Sequence, residues 1–204
     1  MLTIETYFPN WREFSIHESS PCGRGASVRL ATECKGYVAS QFFPDVKRGE
    51  SREGIRCEDL EQLTFPDSSI DLHVSQDVME HVFAPSKAFR EIARTLKPGG
   101  AHVFTTPLVR KHQPSRQRAQ IDEQGKITHL EPAQYHGNPI SDQGSLVTVD
   151  WGFDITRHIF EASGLFTHLV YIDDLSKGIR AQYIEVLVTL RPAEPQSRGL
   201  NRVA

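Results

Sequence analysis

A strand–helix–strand unit between Ile70 and Thr106 limits the folds open to this chain more than any other feature. Ile70, Leu72 and Val74 alternate with Asp71, His73 and Ser75, the period of two that marks a strand with one apolar face. The strand ends near Gln76-Asp77. After Pro85, a good first-turn residue, Ala88, Phe89, Ile92, Ala93 and Leu96 recur at three- and four-residue spacing until Pro98-Gly99-Gly100 stops the pattern. Ala101 to Thr106 then reads as a second strand. A strand, a helix of about three turns and another strand make a right-handed parallel crossover, so the expected class is α/β.

The flanking segments extend this reading. Phe14 to His17 and Tyr37 to Phe43 are short β-prone runs around a helix beginning near Ser27. Ile155, Ile159, Phe160 and Ala162 line a helix face that Ser163-Gly164 ends. Phe166 to Ile172 and Tyr183 to Leu190, joined by residues 173–180, read as an antiparallel hairpin. A chain of 204 residues with 38% hydrophobic content has room for one domain. We place it at residues 1–191, with a disordered tail at 192–204 where the patterning gives way to Pro, Gln, Ser, Arg and Asn. Residues 107–145 are polar and too long for an idle connection, so they form an expected substrate-side insertion or lid.

A formal net charge of -3 gives no basic field for nucleic acid or membrane surfaces. A small-molecule partner fits better. Neither a signal sequence nor a membrane-spanning run is visible, and Cys22, Cys34 and Cys57 lack ligand or disulfide spacing. The expectation is a soluble, cytoplasmic protein with reduced thiols. No Gly-x-Ser-x-Gly elbow supplies a hydrolase nucleophile. The oligomeric state is left open.

Cys57-Glu58-Asp59-Leu60, Leu63-Thr64-Phe65-Pro66-Asp67, Ile70-Asp71-Leu72, Glu80-His81-Val82 and Leu96-Lys97-Pro98-Gly99-Gly100 together resemble the middle of a class I S-adenosylmethionine-dependent methyltransferase. The resemblance spans about Ile16 to Arg191. It implies a three-layer sandwich, a Rossmann-like and mostly parallel seven-stranded sheet that ends in an antiparallel hairpin. It implies S-adenosyl-L-methionine as cofactor and methyl transfer to a small acceptor, for which a sugar-like molecule is one candidate.

The resemblance also assigns residues. Asp59 is placed to accept from the adenine amino group, with the Leu60 amide serving a ring nitrogen. Gln76, Asp77 and Val78 line the methionine end. His81 is a candidate general base, because an imidazole titrates near neutrality, or else it holds its loop to the neighbouring helix. Glu18 matches the acid that ends the first strand, with Ser20 and Gly23 in the turn and Ser40 or Gln41 at the ribose. The turn departs from the family pattern: Ser20, Pro21 and Cys22 stand where small residues are usual, and Gly23 and Gly25 are displaced. A degenerate, non-catalytic binding protein of the same fold is therefore the alternative.

Other clusters have blander readings beside the functional ones. Gly23-Arg24-Gly25 is an anion-binding turn or a structural loop. Arg110, Lys111, Arg116 and Arg118 are an anion-recruiting run or a solvated one. Tyr135 or His136 orients an acceptor. His129, Glu131 and His136 lack a known ligand spacing, so no metal is expected. Trp151 is a pocket wall or, preferably, a core anchor.

Overall fold

The computed structural model describes residues 1–138, 141–180 and 185–194. Its centre is an eight-stranded sheet in the order β13-β14-β6-β5-β1-β2-β4-β3. The strands are β1 (Ser15–Ser19), β2 (Gly36–Gln41), β3 (Ser51–Arg52), β4 (Ile55–Cys57), β5 (Ile70–Gln76), β6 (Leu96–Thr105), β13 (Phe166–Tyr171) and β14 (Glu185–Leu190). β1, β2, β4, β5 and β6 run parallel. β14 is antiparallel to both β6 and β13, which is the expected hairpin. Six of these strands match runs read from the sequence. The other two, the three-residue β4 and the two-residue β3 antiparallel to it at the sheet edge, are too short to leave a periodic signal.

Helices α1 (Leu2–Tyr7) and α2 (Ala26–Glu33) precede β1 and β2, while α3 (Pro85–Thr95) leads into β6 and α4 (Ile155–Ser163) into β13. α3 buries Ala88, Phe89, Ile92 and Thr95, the face that the apolar spacing defines. It packs with Leu60, Leu63, Met79, Trp151, Ile155 and Ile159 in one core. Each fully buried side chain of this kind contributes about 2 kcal/mol of transfer free energy. Gly164, with φ of 73°, ends α4 in the left-handed region. On the other face Ile4, Trp11, Ile16, Leu30, Leu72 and Val103 form the second core, so helices cover the sheet on both sides. Among the described residues no helix is long and apolar enough to cross a membrane.

This double covering corrects the reading of β5 as a one-faced strand. His73 and Ser75 are as buried as Leu72 and Val74, because a parallel sheet between helix layers has no wet face. His17, His73 and His102 sit in register on β1, β5 and β6 and form a buried polar row. His17 Nδ1 lies 2.9 Å from His73 Nδ1, and His73 Nε2 lies 2.8 Å from Thr95 Oγ1. Thr95 donates its own proton to the carbonyl of Glu91 or Ile92, so it accepts from His73 Nε2. His73 Nδ1 then accepts from His17 Nδ1, and His17 Nε2 accepts from Ser40 Oγ at 2.7 Å. His102 pairs with Ser75 at 3.0 Å. Every ring is accommodated as neutral imidazole. Burial pushes His17 and His102 down to about 3, and His73 well below its usual value.

Residues 107–150, which include the segment 107–145, fold as short antiparallel pieces: β7 (Arg116–Gln117) pairs with β12 (Val149–Asp150), β8 (Ala119–Ile121) with β9 (Ile127–His129), and β10 (Tyr135–Asn138) with β11 (Ser141–Leu146). The amides of Thr148 and Val149 donate to the Glu80 carbonyl, which ties these residues to the loop after β5. Residues 195–204, most of the expected tail, and Tyr183 at the head of the last expected strand lie outside the described residues.

Candidate active site

The chain proceeds outward from β1 through β2 to β4, then returns to place β5 beside β1. That reversal leaves a crevice at the carboxyl ends of β1 and β5, where open α/β sheets bind ligands. Glu18 and Gln76 stand at its two sides. Glu18 is fully buried. It accepts from Ser27 Oγ at 2.7 Å, from the Tyr37 hydroxyl at 2.7 Å and from Gln76 Nε2 at 3.1 Å. One carboxylate thus ties together the end of β1, the start of α2, β2 and the end of β5. The proton of Tyr37 is held by burial and by this bond to Glu18, which raises its pKa far above the usual range.

The turn between β1 and α2 keeps its shape without the usual glycines. Ser20, Gly23 and Gly25 have φ of 55°, 66° and 56°, and the Ser20 amide donates to the Ser40 carbonyl. A Cβ at Gly23 or Gly25 would meet no atom within 4 Å, so open space borders the turn there. The Cys22 amide donates to Ser27 Oγ. The two displaced glycines supply the left-handed conformations that other residues adopt only at a cost.

At the next strand end, Ser40 and Gln41 point to opposite faces. Ser40 is buried against His17. Gln41 is half-buried, and its amide has no side-chain partner among the described residues. Past β4 the adjacent acids also divide. Glu58 is buried and accepts from Arg56 Nε at 2.6 Å and from the Thr64 amide at 2.8 Å, which shapes the loop through Phe65. Asp59 uses Oδ1 to accept from the Glu61 amide at 2.8 Å, while Oδ2 lies 3.8 Å from Arg48. Leu60 sends its side chain into the core. Asp77, with φ of 52°, accepts from Thr105 Oγ1 at 3.0 Å, and Val78 packs at the core's margin.

Beyond β5 the structure brings His81 and His136 together, their rings edge to face at 5.2 Å. His81 Nδ1 donates to the Leu146 carbonyl at 2.8 Å, which ties its loop to β11. Burial holds its pKa below the usual value. Tyr135 is 55% exposed. Sequence reasoning missed Glu80, which is 1% exposed. Its Oε2 accepts from Thr106 Oγ1 at 2.9 Å, whereas Oε1 is buried without a hydrogen-bond partner. Burial pushes Glu80 up to about 7, against the opposing bond from Thr106. The signal available was a Glu beside a His in a strand-end loop, but the partners sit at positions 106 and 136.

Two cavities open nearby. One, of about 330 Å³, is mostly apolar and lies among α1, Val74, Gln76, Phe104 and Thr105. The other, of about 200 Å³, is bounded by Glu80, Pro107, Arg118, His136, Val149 and Asp150. Two residues of the basic run are paired with acids. Arg118 pairs with Asp150 at 2.8 Å and Arg116 with Glu131 at 2.9 Å. His129 is exposed. Trp151 is a core anchor whose Nε1 donates to the Met79 carbonyl.

Residues 22–104 match the family described as "Methyltransferase domain". A probable S-adenosylmethionine-dependent methyltransferase of Mycolicibacterium smegmatis is 30% identical over 91 residues, 42% of this chain and 35% of that protein. A glycine/sarcosine/dimethylglycine N-methyltransferase of Actinopolyspora halophila is 25% identical over 189 residues, 87% of this chain and 30% of that protein. The chain spans about a third or less of the length of the curated relatives it matches. Among solved structures, an S-adenosylmethionine-dependent methyltransferase from Mesorhizobium loti superposes with a TM-score of 0.58 at 21% identity, covering 93% of this chain and 96% of that one. Residues 22–104 thus resemble a methyltransferase domain, and the sheet as a whole has the fold of solved S-adenosylmethionine-dependent methyltransferases.

Proposed function

We propose that this chain transfers a methyl group from S-adenosylmethionine to a small-molecule acceptor held at the carboxyl edge of the sheet. The observation that carries this reading is the Glu18 network, which keeps the β1–α2 turn open and braced although two of the family's small residues are missing. The groups left at the edge suit a nucleoside. Asp59 Oδ2 accepts from an exocyclic amine, the Gln41 amide bonds a ribose hydroxyl, and the amides around Gly23 and Gly25 meet a carboxylate. Ser40 has no part in this, since its hydroxyl serves His17.

The sulfonium supplies an activated methyl group, so positioning by the protein provides much of the rate. Glu18 and Gln76 fix the relation of the turn to β5. His81 fixes the insertion over the loop that follows, and the apolar cavity beside Gln76 and Thr105 excludes water from an acceptor's body. Two relatives carry names of N-methyltransferases that act on glycine derivatives, which favours a nitrogen nucleophile over the sugar-like acceptor. The test is calorimetric titration of the full chain with S-adenosylmethionine and S-adenosylhomocysteine. One site per chain is expected, and absence of binding at millimolar ligand overturns the reading.

A further inference from the structure

The loop after β5 and the facing β10 hold a cluster whose carboxylate and free imidazole nitrogens take no part in methyl transfer as argued above. Glu80 Oε1 is buried and unpartnered, although a lone oxygen in such a place loses its hydration without return. Two imidazole nitrogens look toward it: His81 Nε2 at 3.7 Å and His136 Nδ1 at 3.7 Å. One ligand atom from each of the three residues lies within 4.8 Å of the others. Metal bonds of about 2.0–2.2 Å hold neighbouring donors roughly 3.3–3.6 Å apart at tetrahedral angles, so the spacing needs only small side-chain adjustment.

The supporting contacts point the same way. His81 donates Nδ1–H to the Leu146 carbonyl, which leaves a lone pair on Nε2; metal-bound histidines are oriented by this kind of second bond. Thr106 holds Oε2 of Glu80 and turns Oε1 to the histidines. The sequence places Glu80 and His81 side by side but delivers His136 from the insertion, on β10. Ligand spacing was therefore invisible along the chain.

We propose that Glu80, His81 and His136 bind a divalent transition-metal ion through one carboxylate oxygen and two imidazole nitrogens. Two nitrogens and one oxygen form a borderline donor set, suited to zinc and its neighbours rather than to calcium or magnesium. Three protein ligands leave coordination open, and Glu80 and His136 both line the cavity of about 200 Å³. An oxygen or amine donor of a small molecule entering there completes the shell. The ion would also lock the insertion onto the loop after β5.

The test strips the full chain with EDTA and titrates it with zinc chloride by calorimetry, and with cobalt chloride by visible absorption. One equivalent should bind, with cobalt bands of a four- or five-coordinate site. Glu80→Gln and His136→Ala should each weaken zinc binding at least tenfold, while His129→Ala, on the exposed β9, leaves it unchanged. His136→Ala alters a partly exposed side chain and keeps the test open if the buried substitution impairs folding. No stoichiometric binding by the wild-type chain, or wild-type affinity in either ligand variant, overturns the proposal. Zinc binding is read without S-adenosylmethionine, so its failure and that of the methyltransferase reading are separate results.

Discussion

Glu18 and Glu80 are both buried carboxylates at the carboxyl edge of neighbouring strands, yet their surroundings differ in kind. Glu18 receives three hydrogen bonds, from β5 and from the two elements after β1. Glu80 receives one, and its second oxygen faces two histidines across a gap. The first arrangement is complete within the protein and acts as a brace. The second is incomplete and has the character of a site. A buried polar group is informative through what it lacks, because an unpaired oxygen has a cost that folding alone does not explain. The histidine row on the sheet belongs with Glu18: three buried rings, each with a partner.

The largest expected effect tests the satisfied side of this contrast. His17, His73 and His102 have folded pKa values below the unfolded value near 6.5. The unfolded chain therefore binds more protons, and stability is full above pH 6.5 and lost as pH falls toward 3. Between pH 6.5 and 5 His17 and His102 each account for roughly 1.5 kcal/mol, and His73 adds to the loss in the same direction. Urea unfolding at stepped pH measures the slope. His102→Gln, which keeps a polar group for Ser75, should lower that slope by about a third; an unchanged slope would break the assignment.

Next in size is Glu18→Ala, which strands the Ser27, Tyr37 and Gln76 donors. It should cost about 3 kcal/mol, a fall in Tm of roughly 10 °C by calorimetry for a chain of this size. Asp59→Asn keeps an acceptor for the Glu61 amide but removes charge, and should weaken S-adenosylhomocysteine binding about fivefold, near 1 kcal/mol. Smallest is Glu80→Gln in EDTA. Its stability should stay within about 1 kcal/mol of wild type, since no completed network is lost. A loss as large as that of Glu18→Ala would erase the distinction between the two carboxylates.

Much of the fold was legible because helix α3 and the strands around it carry clean periodicities, and because Gly164 and Pro85 mark helix ends as their backbones require. β3 and β4 were not foreseen, being only two and three residues long. His73 and Ser75 were misjudged because alternation shows two faces of a strand but not what covers each. The site was half legible. Glu18, Gln76 and Asp59 stand at strand-end loops as expected. The pairing of Ser40 with His17 and of Glu80 with Thr106 and His136 joins residues 23 to 56 positions apart, and no local pattern encodes such contacts.

In the proposed function the braced turn and the loops after β2, β4 and β5 hold S-adenosylmethionine. Amide hydrogen exchange with and without S-adenosylhomocysteine tests it most directly. Protection is expected in the segments 19–26, 41–42, 58–62 and 76–79, with the β8–β9 hairpin unaffected. Protection absent from all four segments, or confined to the insertion, would contradict the account.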